Sequence, residues 1–145
     1  MIRRAVRVLL GILAAGLASG VVGAVVIVVP MAFSPDADLG WLSALMIFSL
    51  VLTIYGWAAT VVLGLPAHVA LGRLGVRNIQ AYLIAGAVAG ALFALVHSLS
   101  SGLFHPTVLA AGVAAGIAGA AAFWLVRRPD RDAVNRPATS ADGHP

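Results

Sequence analysis

The chain alternates between long apolar segments and short polar ones. A membrane-spanning helix needs about 20 mainly apolar residues, each adding about 1.5 Å along the helix axis. Four segments meet this requirement: residues 8–29, 41–65, 79–99 and 107–126. Their apolar positions are continuous and do not alternate with a period of two, which favours helices over strands. The pattern predicts an all-α, polytopic membrane protein with a four-helix transmembrane domain over residues 1–126.

Local signals predict where these helices begin and end. Proline lacks an amide hydrogen and clashes with the preceding turn, so the first helix is expected to stop at Pro30 and the second at Pro66. Asp38 and Asn78 are expected to cap the second and third helices, and Pro106 suits the first turn of the fourth. The polar tail over residues 127–145 contains three Pro and no apolar periodicity, which predicts disorder.

The basic residues predict the orientation of the helices. All nine are Arg, and they occur before the first helix, between the second and third, and after the fourth. The other two connections contain no Arg, and the first of them contains Asp36 and Asp38. Basic residues near spanning helices remain in the cytoplasm. We therefore expect an antiparallel bundle with both termini in the cytoplasm. The Arg residues in chain order are Arg3, Arg4, Arg7, Arg73, Arg77, Arg127, Arg128, Arg131 and Arg136.

The N-terminus also has an alternative interpretation as a cleaved signal peptide. A basic start precedes an apolar stretch and the small residues Ala18, Ser19 and Gly20. The apolar run continues to Val29, beyond the roughly 7–15 residues of the apolar h-region in a typical signal peptide, which favours a retained helix. Cleavage would leave three spans and place the new N-terminus outside.

The composition agrees with a lipid environment. Apolar residues make up 61% of the chain and charged residues 10%, whereas soluble domains carry roughly 25% charged residues. Abundant Ala, Gly and Val, with Arg in place of Lys, are typical of a GC-rich bacterial genome, so the bacterial inner membrane is the expected location. The absence of Cys excludes disulfides and thiolate sites. Arg at helix ends explains the basic charge, and no nucleic-acid partner is expected.

Small residues recur every four positions in each predicted helix. Such ridges let helix backbones approach closely, and this packing drives helix association in lipid. Packing within one bundle is the first interpretation; a surplus face for self-association or for another membrane protein is the alternative, with the fourth helix as its best candidate. The ridges are Gly11, Ala15, Ser19 and Gly23; Ser49, Thr53, Gly56, Thr60 and Gly64; Gly86, Gly90 and Ala94; and Ala111, Ala115 and Gly119, flanked by Gly112 and Gly116.

Aromatic residues divide into two groups. Trp41, Tyr82 and Trp124 lie near the predicted interfaces and are expected to form aromatic belts. Tyr55 and Trp57 lie deeper in the second helix, where their polar atoms need partners. They form either interhelical hydrogen bonds or the wall of a lipid or ligand pocket.

Two histidines are the candidate metal ligands. His97 is expected to face the bundle, with a hydroxyl of Ser100 or Ser101, or an Asp of the first connection, as its partner. With His105, Asp36 and Asp38 it offers imidazole and carboxylate ligands for zinc or copper. The expected ligand spacing is missing, so a structural histidine is the favoured interpretation and no metal or cofactor is predicted. A haem between His68 and His97 is disfavoured, because they lie at opposite ends of their helices.

One segment has a family resemblance. Residues 64–92 resemble small four-span bacterial inner-membrane proteins without an assigned function. The resemblance implies no activity, substrate or site. It is carried by Gly64, Pro66, Arg73, Leu74, Gly75, Tyr82, Gly86 and Gly90.

The functional prediction depends mainly on what the spans lack. None contains Asp, Glu, Lys or Arg, the residues that ion-coupled transport and proton relays use within a membrane. No nucleophile–base pair or cofactor motif is present. The sequence predicts a non-catalytic inner-membrane protein that acts in interaction, assembly or as an accessory subunit. The alternative is a small oligomeric pore or a lipid- or solute-conducting protein.

Overall fold

The computed structural model describes residues 2–33, 40–102 and 105–127, and within these residues it is almost entirely helical and contains no strand. Four stretches are long and apolar enough to cross a membrane: Ala5–Pro30, Gly40–Arg73, Ile79–Ser101 and Pro106–Arg127. The prediction of an all-α protein with four spanning helices is confirmed. The helices are α1 (Ile2–Ala32), α2 (Gly40–Ala59), α3 (Leu65–Arg73), α4 (Ile79–Ser101) and α5 (Pro106–Arg127), and a π-helical segment (Thr60–Gly64) joins α2 to α3.

Neither predicted proline stop ends its helix. Pro30 lies inside the last turn of α1, which continues to Ala32. Pro66 lies in the first turn of α3, and the helical stretch continues past it to Arg73. The π-helical turn provides the physical reason, because it pairs the amide of Leu65 with the carbonyl of Thr60 and so adds one residue before the proline. At 1.5 Å per residue, the 34 residues of this stretch span about 50 Å, more than the roughly 30 Å of a hydrocarbon core.

The caps of α4 and α5 follow the predicted signals. The Asn78 side chain accepts a hydrogen bond from the amide of Ala81 at 3.0 Å, and Pro106 begins α5. Gly102, with a φ of 68°, ends α4 in the left-handed region that favours glycine. Asp38, the expected cap of α2, lies outside the described residues, as does the tail from residue 128 onward.

Large and small side chains are distributed in the reverse of a soluble protein. The fully buried positions are mostly small, such as Ala15, Ala24 and Ala111. Large aliphatic side chains face outward, and Leu50 and Leu99 are among the most exposed. Lipid solvates such side chains, whereas water does not. The exposed apolar surface therefore agrees with a multi-pass membrane protein.

The helices form an incomplete bundle around a central pair. α1 packs along both α2 and α5, and α5 also packs along α4. The backbone of the stretch from α2 to α3 comes near the backbone of α4 at few places, mainly at the π-helical segment and at α3. The spatial order is therefore α2, α1, α5, α4, and the two outer members face each other across a gap.

Gly–Gly contacts set the closest helix pair. Gly86 of α4 lies directly against the backbone of Gly116 of α5, and Gly90 lies against Gly112. A Cβ atom added at any of these four glycines would come within 2.6 Å of a carbonyl oxygen of the partner helix, which is too close for a real contact. Residue numbers rise along α4 as they fall along α5. The small-residue ridge predicted on α4 therefore packs against Gly112 and Gly116, the glycines that flank the predicted ridge of α5.

Two ridges of small residues lie on different faces of α1. The predicted ridge faces α5, where Gly11 lies against Phe123 and the Ser19 hydroxyl donates to the carbonyl of Ala115 at 2.9 Å. A second ridge, Gly16 and Gly20, faces α2 and was not predicted; Gly16 lies against Trp57. The small faces of α5, the best candidate for a surplus face under the alternative interpretation, lie against α1 and α4, as packing within one bundle predicts.

Candidate functional site

The gap between the two outer helical stretches is a groove of about 550 Å³. α1 and α5 form its floor, and its walls are α2 with α3 on one side and α4 on the other. The lining is mainly aliphatic and small, so it offers few polar atoms to a ligand. Its volume lies within the roughly 300–1,000 Å³ of typical small-molecule sites.

An aromatic pair bridges the groove partway along its length. The ring centroids of Tyr55 on α2 and Phe93 on α4 are 5.8 Å apart, at an interplanar angle of 54°. This separation is within the range of direct aromatic contact. Both side chains are also partly exposed, so the pair does not seal the groove in a closed core.

A hydrogen-bonded pair bridges the groove at one end. His68 Nδ1 on α3 lies 2.7 Å from the Tyr82 hydroxyl on α4. The His68 ring also meets Phe123 of α5 edge-on, with a centroid distance of 5.2 Å. Tyr82 is only 5% exposed, so this pair fixes α3, α4 and α5 relative to one another from inside the bundle. For Tyr82 the predicted role as a belt residue is therefore wrong.

The two deep aromatic residues of α2 have different roles. The indole N–H of Trp57 donates to the main-chain carbonyl of Leu13 on α1 at 3.2 Å, the interhelical bond that was one of the two interpretations. Tyr55 forms part of the groove wall, which was the other. Two residues apart on a helix means about 200° of rotation, so the two rings point to opposite sides.

Two hydroxyl residues of the small-residue ridge on α2 have their partners within the bundle. Thr53 is buried where α2 approaches Gly20 of α1. The Thr60 hydroxyl donates to the carbonyl of Gly56 in its own helix at 2.7 Å. Hydroxyls in spanning helices commonly satisfy themselves in this way, and these two serve packing and backbone hydrogen bonding.

The candidate metal ligands occupy separate positions. His97 lines the far end of the groove, where α4 ends. Ser100 and Ser101, two of its candidate partners, donate to its main-chain carbonyl at 2.8 and 3.0 Å. His105 Nδ1 accepts from the amide of Thr107 at 3.4 Å, as a cap of α5. Among the described residues no three His, Cys, Asp or Glu side chains cluster. Asp36 and Asp38, the carboxylates of the alternative metal site, lie outside them.

Sequence reasoning missed the His68–Tyr82 pair, although a signal was present. Both residues lie within about two turns of the short connection between α3 and α4, which places them at similar depth on neighbouring helices. Equal depth brings a pair together only if both side chains face inward. The uniformly apolar surroundings give no indication of which way either side chain faces.

The fold and the groove define the class of this chain as an all-helical, multi-pass membrane protein with a groove between its outer helices. No protein-family model, curated protein or solved structure matches the chain.

Proposed function

We propose that this chain is a non-catalytic protein of the bacterial inner membrane that acts by binding, and that its ligand is the acyl chain of a membrane lipid held in the groove. Its role is that of an accessory or assembly component. The bridged, apolar groove is the observation that carries the proposal.

The groove lies between spanning helices, where it does not remain empty. A void lined by side chains loses the dispersion contacts that its lining would otherwise make. Water is a poor occupant because apolar cavities stay dry. Lipid chains are the solvent available at this depth, and they enter without exposing apolar surface. The same apolar lining gives little support to an aqueous pore.

The aromatic bridge favours a thin occupant. A helix with its side chains is about 10 Å across, whereas the rings of Tyr55 and Phe93 meet with centroids 5.8 Å apart. A helix from another protein therefore fits in the groove only if this pair separates. An acyl chain passes beneath the rings, along the small residues of the floor.

The orientation within the membrane is part of the proposal. Residue contacts at the α1–α2, α1–α5 and α4–α5 interfaces run in opposite chain directions, which supports an antiparallel bundle. All nine Arg then fall on one side, and the positive-inside rule makes it cytoplasmic. The bacterial location rests on composition and on the resemblance of residues 64–92.

Photolabelling with a lipid that carries a diazirine on its acyl chain tests the ligand. In vesicles, labelling of the wild-type protein should reach groove residues such as Ala89 as well as the outer surface. Ala59→Phe should narrow the groove, because Ala59 lines it, and should lower labelling inside. Peptide mapping by mass spectrometry gives the labelled positions.

Ala58→Phe is the matched control, because Ala58 is the neighbouring residue and faces outward. Groove labelling should be unchanged in this variant. Labelling confined to outward residues such as Leu50 and Val62 would contradict lipid binding. Site-specific cross-links from Ala59 to a spanning helix of another protein would instead identify a protein as the occupant.

Reporter fusions test the orientation separately. Fusions after Arg77 and after His144 should report the cytoplasm, and one after Asp38 should report the outside, because Arg is absent from that connection. A periplasmic signal from the Arg77 fusion would refute the proposed topology.

A further inference from the structure

Three Arg residues lie near the end of the groove that contains His68 and Tyr82. Arg73 is the last residue of α3, Arg127 is the last of α5, and Arg77 immediately precedes the cap of α4. The indole N–H of Trp124 on α5 donates to the carbonyl of Arg77 at 3.2 Å. This bond holds the end of α5 beside the connection between α3 and α4.

Two of these basic residues lie close in the chain to the residues that form this end of the groove. Arg127 follows Phe123, which the His68 ring meets edge-on, by four residues on α5, and Arg77 precedes Tyr82 by five residues. Both Arg residues are partly buried, whereas Arg73 is exposed. Partial burial reduces solvent screening, so the charges of Arg77 and Arg127 act more strongly on a nearby group than those of exposed Arg residues do.

The residues described at the opposite end of the groove include no Arg. Among them, the ionisable side chain that lines the groove is His97. The described segments together contain six Arg and no Asp or Glu. The groove is therefore mainly apolar along its length, and Arg residues lie near one end of it.

The geometry points to an anionic phospholipid as the ligand, with its acyl chain in the groove and its phosphate at Arg77 and Arg127. This inference rests on the proposed function and adds the class of headgroup. Basic pockets between helices on the cytoplasmic side of a membrane bind anionic headgroups. An Arg guanidinium can donate two parallel hydrogen bonds to the oxygens of one phosphate. The acyl chain explains why a lipid is favoured over free phosphate.

Competition between two headgroups tests the inference. The protein is reconstituted in vesicles of phosphatidylglycerol and phosphatidylcholine with identical acyl chains, and the diazirine is placed on one lipid at a time. The ratio of groove labelling by the two lipids measures headgroup preference. In the wild type, phosphatidylglycerol should label the groove several-fold more strongly.

Removing one charge should lower that ratio. Arg77→Gln and Arg127→Gln should each reduce it about fivefold, the factor that corresponds to about 1 kcal/mol per basic residue near a membrane surface. Arg77→Lys should retain most of the preference, which shows that the protein remains folded. Arg7→Gln is the charge-matched control; Arg7 is exposed on α1, and the ratio should be unchanged.

The outcomes separate this inference from the proposed function. Equal groove labelling by both lipids in the wild type would overturn the headgroup assignment and leave acyl-chain binding in place. An equal effect of Arg7→Gln and Arg77→Gln would also overturn it, because a diffuse surface charge would then explain the preference. If neither lipid labels the groove, the proposed function fails as well. A preference lost only in the Arg77 and Arg127 variants supports the site.

Discussion

The interface between α4 and α5 and the gap between α2 and α4 are both mainly apolar but have opposite structures. At the first, Gly86 and Gly90 lie against Gly116 and Gly112, and the two backbones are in contact. Across the second, Tyr55 and Phe93 meet only through their rings, and a groove lies beneath them. Both faces of α4 are apolar, so hydrophobicity does not distinguish them.

The difference shows that side-chain size sets helix separation in this protein. In lipid, apolar side chains gain little by moving from the bilayer to an interface, so close packing and interhelical hydrogen bonds decide which helices associate. Glycine at four-residue spacing allows backbone contact, whereas aromatic side chains hold helices apart. The groove therefore lies where aromatic side chains stand between α2 and α4.

The largest expected loss of stability comes from placing a large side chain in the Gly–Gly interface between α4 and α5. In Gly90→Leu the new Cβ would overlap the carbonyl oxygen of Gly112, so the two backbones must separate. We expect a loss of at least about 3 kcal/mol in the free energy of unfolding, the upper end of typical overpacking costs. Unfolding in mixed detergent micelles measures it.

Gly72→Leu is the matched control, because no described atom lies within 4 Å of a Cβ at Gly72. Leu92→Ile, at an exposed position of α4, should be almost silent. If Gly90→Leu is as stable as these variants, α4 does not pack through its glycine ridge, and the comparison above is wrong.

A smaller effect is expected from the bridge at the end of the groove. Tyr82→Phe removes the hydrogen bond to His68 and keeps the ring, which should cost about 1 kcal/mol. The end of the groove should also open, which acyl-chain labelling near His68 would detect. The same substitution at Tyr55 keeps the ring contact with Phe93 and should change neither quantity. A Tyr82→Phe protein as stable as Tyr55→Phe would show that the bridge contributes little.

The smallest expected loss of stability comes from the interface between α1 and α5, the central helix pair. Ser19→Ala removes the hydrogen bond from α1 to the carbonyl of Ala115, and interhelical bonds of this kind contribute about 0.6 kcal/mol on average. Ser43→Ala, at an exposed position of α2, is the control. A loss for Ser19→Ala above about 2 kcal/mol would exceed the range measured for such bonds and would indicate a tighter α1–α5 interface than the geometry implies.

Part of the candidate site could be predicted from the sequence. Tyr55 and Trp57 were identified as a hydrogen-bonding residue or a pocket wall, and each role is present, one per residue. The sequence does not say which residue has which role, because a rotation of α2 by half a turn would exchange the directions of the two rings. Tyr82 was placed in the aromatic belt because its position near a helix end is typical of such residues. Its inward direction depends on how α4 is rotated against α5.

The amino-acid sequence by itself determined the number of spanning helices, the segregation of Arg and the small-residue ridges. Each follows from local physics: the length of an apolar run, the cost of charge in hydrocarbon, and the close approach that small side chains allow. Only the tertiary structure decided which ridges meet, that α1 and α5 form the centre, and that α2 and α4 remain apart. In water, an apolar stripe marks the inward face of a helix. In lipid, every apolar face of these helices is well solvated by acyl chains, so the inward face is decided only when the helices pack against one another.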